Sequence, residues 1–317
     1  MIAGLSLARL VPPFENSDDL WRLRTDASAW KPALDAILGR HELHGSPELL
    51  STGSRLVATI GDRFVLKLYG HWEGDHAAVE AQCLEWLEGR LPIRSPELVA
   101  SGELEGCPYL IQRRLAGVPL REARAGMPPR DLFLVAETVG RLARALHALP
   151  VPVSFDRFPD WNGFLASLRQ RCTAWHRARE LPAALLEAMD DQLSGVSLET
   201  ESPVFLHTEL TDTNLMVEQA PDGWRLSGVL DFEPATLGHP LYDLAAIPIF
   251  VAHGDLALCR AALGAYGLTV LDESLRRHLL AAVILHRYSH IGFFLDQVGI
   301  DQYPEDWNGV ARHLFGF

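Results

Sequence analysis

Cysteine is scarce in this chain. Cys83, Cys107, Cys172 and Cys259 are the only four in 317 residues. They are scattered, with no C-x-x-C and no metal-ligand spacing, which excludes a disulfide framework and a zinc-ribbon reading and leaves reduced, mostly buried thiols. Positive charge is short as well, with 28 Lys plus Arg against 41 Asp plus Glu and a formal charge of −13. That balance argues against nucleic acid and anionic membrane as partners, because the phosphate attraction such binding depends on is reversed. It suits a cationic small molecule. No apolar run approaches the roughly 20 residues needed to span a bilayer. The opening MIAGLSLARLVPP is interrupted by Arg9 and has no basic n-region, so it does not read as a secretory leader, and a cytoplasmic protein is expected. H-E-x-x-H and G-x-S-x-G are missing too, which removes the commonest hydrolase motifs.

What is present is ordinary globular material, 48% hydrophobic and 22% charged, enough for two lobes with ample cores. Asp18 to Arg40 reads as a helical arm, with Trp21, Leu23, Trp30, Leu34, Ile37 and Leu38 for a buried stripe. SRLVATIGDRFVLKLYG then has two β-rich runs around Gly-Asp, a hairpin pattern. DHAAVEAQCLEWLEG returns to helical spacing and stops at Gly89. LVASGELEGCPYLIQRRL gives two further strand-like runs split by Glu-Gly. From about 128 the pattern is helical. Leu132, Val135, Val139, Leu142 and Leu146 recur at three- and four-residue steps, and further helical signals lie at 162–178, 182–194, 254–266 and 272–297. One β-rich island interrupts them, NLMVEQAPDGWRLSGVLDF, with Pro-Asp-Gly at its turn.

Four features carry chemistry when taken in order. Lys67 stands in the strand-like VLKLY, where on a half-buried strand its ammonium can face a cleft and hold phosphates. Glu80 on the next helix can pair with it, although Glu85 competes for that role. HTELTDTN, residues 207–214, places a histidine, a carboxylate two residues on and an asparagine five beyond that. Asp231 follows a strand, 17 residues past Asn214, in LDFEPATLGHPLYDLA. Phosphoryl transfer needs these parts: held phosphates, a held metal ion and an aimed hydroxyl. Asp243 reads as a hydrogen-bonding brace for the loop or as a helix N-cap ahead of LAAI.

The order of STGSRLVATIGDRFVLKLY, VEAQCLEWL, YLIQRRLAGVPL, VGRLARALHALP, FLHTELTDTNLMV and GVLDFEPATLGHPLYDLA, over residues 51–246, resembles the aminoglycoside phosphotransferase family of the protein-kinase-like superfamily. The pattern is similar to antibiotic kinases, the hygromycin type among them, and to relatives of unknown substrate. The resemblance implies an α+β, bilobal protein-kinase-like fold: an N-terminal helical arm over 1–45, a nucleotide-binding N-lobe over 46–115 and a helical C-lobe over 116–317. It implies ATP or GTP as co-substrate and Mg2+ as cofactor. Thr52, Gly53 and Ser54 match the loop over the phosphates, Lys67 would contact them and Glu80 would pair with Lys67. The backbone of Gln112, Arg113 and Arg114 would meet the adenine edge. Glu209 takes the catalytic-base position, and Asn214 and Asp231 those of the magnesium ligands.

Two departures stand out. Only Gly53 is present in the phosphate loop, so there is no G-x-G-x-x-G, and Ser54 can offer its hydroxyl and backbone N–H instead. The second is Glu209 where the family pattern has aspartate. Glutamate and aspartate differ little in basicity, but one more C–C bond moves the carboxylate by up to about 1.5 Å. Misplacement on that scale can cost around a hundredfold, unless the backbone is set back to suit. The intact Lys67, Asn214 and Asp231 favour an active kinase over a nucleotide-binding pseudokinase. Asp212 is a weaker candidate base, and His207 reads as a structural brace. HWEGDH (71–76) and the pair His286 and His290 can be drawn as metal sites, but a solvated connection and a polar helix face account for them better. Asp156, Asp160, Glu180, Glu187, Asp190, Asp191, Asp296, Asp301, Glu305 and Asp306 supply acid for a cationic acceptor, an aminoglycoside or a metabolite such as an amino alcohol, or form solvated helix faces.

Overall fold

The computed structural model describes residues 9–51, 53–152 and 155–317. Thr52 of the expected phosphate loop lies outside the described residues. The chain divides into two units, one of residues 1–88 and 95–115 and one of 89–94 and 116–317.

The smaller unit contains α1 (Ser17–Leu23), α2 (Ala27–Arg40), β1 (Pro47–Leu49), β2 (Leu56–Ile60), β3 (Phe64–Leu68), α3 (Gly74–Leu87), β4 (Leu98–Leu104) and β5 (Cys107–Arg113). The single helical arm expected over 18–40 is broken. Asp26 accepts from the N–H groups of Ser28 and Ala29, capping a new helix where the first has ended. Trp21 of α1 is 49% exposed, while Trp30, Leu34 and Ile37 of α2 are buried. Those residues share one apolar core with Leu56, Ala58, Leu66, Tyr109 and Ile111 of the sheet. The sheet runs β1-β2-β3-β5-β4 with all pairs antiparallel. Glu105 and Gly106 both have positive φ, as the two-residue turn of the β4–β5 hairpin demands. β3 alternates buried Phe64, Leu66 and Leu68 with Val65 and Lys67, so the apolar period of two hands Lys67 to the face opposite the core.

The larger unit contains β6 (Val118–Pro119), α4 (Leu120–Ala123), α5 (Pro129–Ala148), α6 (Trp161–Arg177), α7 (Ala183–Glu187), α8 (Met189–Leu193), β7 (Val204–Leu206), β8 (Leu215–Ala220), β9 (Gly223–Val229), β10 (Thr236–Gly238), α9 (Leu241–Leu244), α10 (Leu256–Tyr266), α11 (Glu273–Ile284), α12 (Ile291–Gln297) and α13 (Trp307–Phe315). Two small sheets, β6-β8-β9 and β7-β10, punctuate the helices. α5 and α10 approach so closely at Gly140 that a Cβ there would meet Ala262 O at 1.9 Å. The helix expected over 272–297 ends at Ile284, and residues 285–290 turn before α12 begins with His290 as its cap. His286 and His290 therefore do not share a helix face, which removes the spacing on which a metal reading rested. Among the described residues no group of three or more His, Cys, Asp or Glu could hold a metal ion, and no helix is long and apolar enough to cross a membrane.

Candidate active site

In the smaller unit the chemistry gathers at Glu80. This carboxylate on α3 is fully buried, and a buried charge survives only with partners. Lys67 Nζ lies 2.7 Å from Glu80 Oε1, Gln112 Nε2 donates to the same oxygen at 3.0 Å, and the Tyr69 hydroxyl donates to Oε2. Glu85 is exposed, so the ambiguity over which glutamate meets Lys67 resolves to Glu80. Gln112 serves here through its side chain. The N–H groups of Arg113 and Arg114 donate to Glu97 O and Arg63 O at 2.8 and 2.9 Å, so what these two residues can offer an adenine is carbonyl oxygen.

Gly53 takes φ +91° with open space at its missing Cβ, a conformation that a larger residue would strain. Arg55, which the sequence reading passed over, ties this loop down. It reaches Ser54 Oγ at 3.3 Å and Glu73 Oε1 at 2.8 Å, and Glu73 Oε2 accepts from Gly70 N at 2.9 Å. Glu73 of HWEGDH is thus one end of an ion pair. The signal was in the sequence as an acid and a base flanking a hairpin, but only pairing brings them together.

In the larger unit the loop 207–214 is pinned at His207, Thr208, the Glu209 backbone and Asn214. His207 is buried, its Nε2 2.8 Å from Leu230 O, its Nδ1 accepting from Glu209 N at 3.2 Å and its ring against Phe232. Thr208 has φ +69°, a left-handed conformation that a β-branched residue adopts at a cost. Three contacts hold it there. Its N–H donates to Asp243 Oδ1, its hydroxyl donates to Pro234 O at 3.1 Å, and its carbonyl accepts from His286 Nε2 at 3.0 Å. Asp243 also accepts from His207 N at 3.0 Å and lies 3.1 Å from His147 Nε2. Of its two expected roles the loop brace is the one it performs. Burial opposes its charge, yet His147 and the loop N–H groups hold its carboxyl below the usual range. Desolvation and the neighbouring Arg287 cation push His286 down to about 4.

Glu209 follows directly from this strained residue. Its carbonyl accepts from Thr211 N at 2.7 Å and from Asn214 Nδ2 at 3.1 Å. With the amide nitrogen committed inward, Asn214 turns its amide oxygen away from Glu209 O. Asp231 also has positive φ, +70°, two residues past the end of β9. Glu233, buried to 7% exposure in the same turn, is a carboxylate the sequence reading missed. Asp212 is only 1% exposed and is gripped by Arg121 through Nε and Nη2 at 3.0–3.2 Å, which makes it a joint of the fold. Among the acids proposed for an acceptor, Asp160 and Asp306 cap α6 and α13.

The sequence profile of the phosphotransferase enzyme family matches residues 51–279. An aminoglycoside 3'-phosphotransferase of Niallia circulans is 29% identical over 210 residues, covering 63% of this chain and 75% of that one. A homoserine kinase of Pseudomonas aeruginosa is 32% identical over 157 residues, 48% of this chain and 45% of that one. Lysine-specific demethylase JMJ21 of Arabidopsis thaliana is 26% identical over 207 residues, 52% of this chain, which spans 22% of that longer protein. Among solved structures, the GDP complex of aminoglycoside 2'-phosphotransferase-IIIa superposes with a TM-score of 0.67 at 18% identity, covering 84% of this chain and 96% of that one. The chain belongs to the phosphotransferase enzyme family, on the α+β protein-kinase-like fold of the aminoglycoside phosphotransferases.

Proposed function

We propose that this protein transfers the γ-phosphate of ATP or GTP to a hydroxyl of a small, amine-bearing molecule. The observation that carries the reading is the shared pinning of Glu209 and Asn214. The strained Thr208 before Glu209 is held from three sides, and the Asn214 amide is tied to the Glu209 carbonyl. A base and a metal ligand thus form one pre-set piece, the positioning that phosphoryl transfer depends on. The backbone that sets Glu209 is held against an anchored Asp243, which supports the longer side chain as an accommodated base.

In this reading Glu209 accepts a hydrogen bond, and then the proton, from the acceptor hydroxyl. That oxygen bonds to the γ-phosphorus as the bond to the β–γ bridging oxygen breaks. Lys67, oriented by Glu80, binds the nucleotide phosphates, and Gly53 and Ser54 cover them. The amide oxygen of Asn214 and the carboxylate of Asp231 are hard oxygen donors of the kind magnesium takes, and Glu233 is a further candidate from the same turn. A bound Mg2+ would neutralise charge on the phosphates. The named relatives act on aminoglycosides and homoserine, which brackets the acceptor between an antibiotic and an amino-acid metabolite.

The test is nucleotide consumption with Mg2+ across aminoglycosides, hydroxy amino acids and amino alcohols, repeated with Glu209→Gln. The expected result is acceptor-dependent turnover that falls about a hundredfold or more in the variant while nucleotide binding survives. A variant as fast as the parent would remove Glu209 from the reaction. Nucleotide binding without turnover of any acceptor would favour the pseudokinase reading.

A further inference from the structure

Arg287 is a cation that forms no ion pair among the described residues. It follows His286, whose ring binds the carbonyl of Thr208, the residue before Glu209. Its own N–H donates to the buried Tyr242 hydroxyl at 2.7 Å, and the Tyr242 ring stacks on His286 at 4.7 Å. The guanidinium carbon lies 5.1 Å from the Phe164 ring centroid and 6.0 Å from that of Tyr288. Arg287 is itself half-buried, next to the 44% exposed Tyr288 and the half-buried Phe164.

No carboxylate among the described residues forms an ion pair with Arg287, and its Nε is buried without a hydrogen-bond partner. In a chain with 41 acidic and 28 basic residues, a part-buried guanidinium lacking an acid is out of keeping with composition. The nearby candidates are spoken for. Asp243 is occupied by His147 and the loop N–H groups. Tyr242 stays a neutral phenol because burial pushes it up to about 12. Arg171 adds a second positive charge acting on the same hydroxyl. The guanidinium lies beside two rings, its side chain bonds the neutral Tyr242 hydroxyl and its Nε donor has no partner, so it keeps donors for a planar carboxylate.

We propose that Arg287 binds a carboxylate of the acceptor, so that the acceptor is a hydroxy amino acid or a similar small molecule carrying both amine and carboxylate. This rests on the kinase reading above and narrows it away from aminoglycosides. The test compares matched acceptors that differ by the carboxylate alone: L-homoserine against 3-amino-1-propanol and L-serine against ethanolamine, with kanamycin as a third kind. Nucleotide consumption by the full chain is expected to favour the acid in a pair by about tenfold or more in kcat/KM, mainly through KM. Arg287→Gln collapses that preference, and Arg287→Lys keeps part of it.

Transfer to carboxylate-free acceptors alone, or equally to both members of the pairs, would overturn the assignment. So would an Arg287→Gln variant that slows both members alike, since that marks an arginine serving the transferred phosphate. Should Arg287→Gln fail to fold, the preference of the parent chain decides. Retained nucleotide binding with no transfer to any acceptor would defeat the kinase reading itself, and this inference with it.

Discussion

In the proposed reading, Glu209 is where one methylene bears on the chemistry. Its backbone is set by Thr208, whose φ of +69° is maintained by Asp243, Pro234 and His286. If that setting is matched to the longer side chain, Glu209→Asp withdraws the carboxylate by up to about 1.5 Å and lowers kcat about tenfold or more. A rate increase would identify the native glutamate as a defect. His286 adds a pH dependence whose sign follows from its depressed value. Unfolded, it titrates near 6.5, and folded near 4. Between those values the unfolded chain binds the extra proton, so this contribution is complete above pH 6.5 and is lost as pH falls towards 4. The loss is at most about 3 kcal/mol. Denaturant titrations across this window should show stability falling on acidification, with a shallower slope in His286→Gln. The flattening is partial, because burial also depresses His176.

At the level of elements, Arg121 of α4 joins three pieces of the larger unit. It binds Asp212 of the loop, donates to Gln297 of α12 at 2.8 Å, and its backbone N–H bonds Asp212 O at 3.0 Å. Arg121 is 43% exposed but Asp212 only 1%. Removing the arginine therefore strands a buried carboxylate rather than merely deleting a surface pair. Burial opposes the charge of Asp212, and His253 and Arg121 together hold its carboxyl below the usual range. Arg121→Met should cost about 2 kcal/mol, read as a lower Tm, with His253 limiting the damage. Adding Asp212→Asn should recover part of that loss. Additive destabilisation would show that the pair matters for its packing and not for its charge.

For the molecule as a whole, the charge of −13 governs partners more than fold. Duplex DNA should not be retarded by the protein in a low-salt mobility-shift assay. Micromolar retardation would reveal a local cationic face strong enough to outweigh the total. Each unit carries its own logic of burial. The smaller buries its leading helices and sheet in one core, and the larger spends several charged groups on internal joints.

Much of this was written in short-range pattern. The two-residue period of FVLKL sends Lys67 away from the core, and Gly-Asp, Glu-Gly and Pro-Asp-Gly mark hairpins that formed between β2 and β3, β4 and β5, and β8 and β9. The spacing of HTELTDTN located the loop. The break of the long C-terminal helix at Ile284 was not legible, because its apolar spacing continues past the residues where the backbone turns. Nor was the start of a second helix at Asp26, whose cap is made only when its side chain meets the N–H groups of Ser28 and Ala29. The sequence by itself determined the order of elements, the charge and the residue types available for phosphoryl transfer, since periodicity and composition are local properties. Only the tertiary structure decided that Glu80 and not Glu85 meets Lys67, that Asp212 is a joint, that His286 holds Thr208, and that Arg287 lacks an acid among the described residues. Those outcomes depend on distances between residues far apart in the chain, and a side chain's charge or hydrogen bond has no partner until packing brings one within about 3 Å.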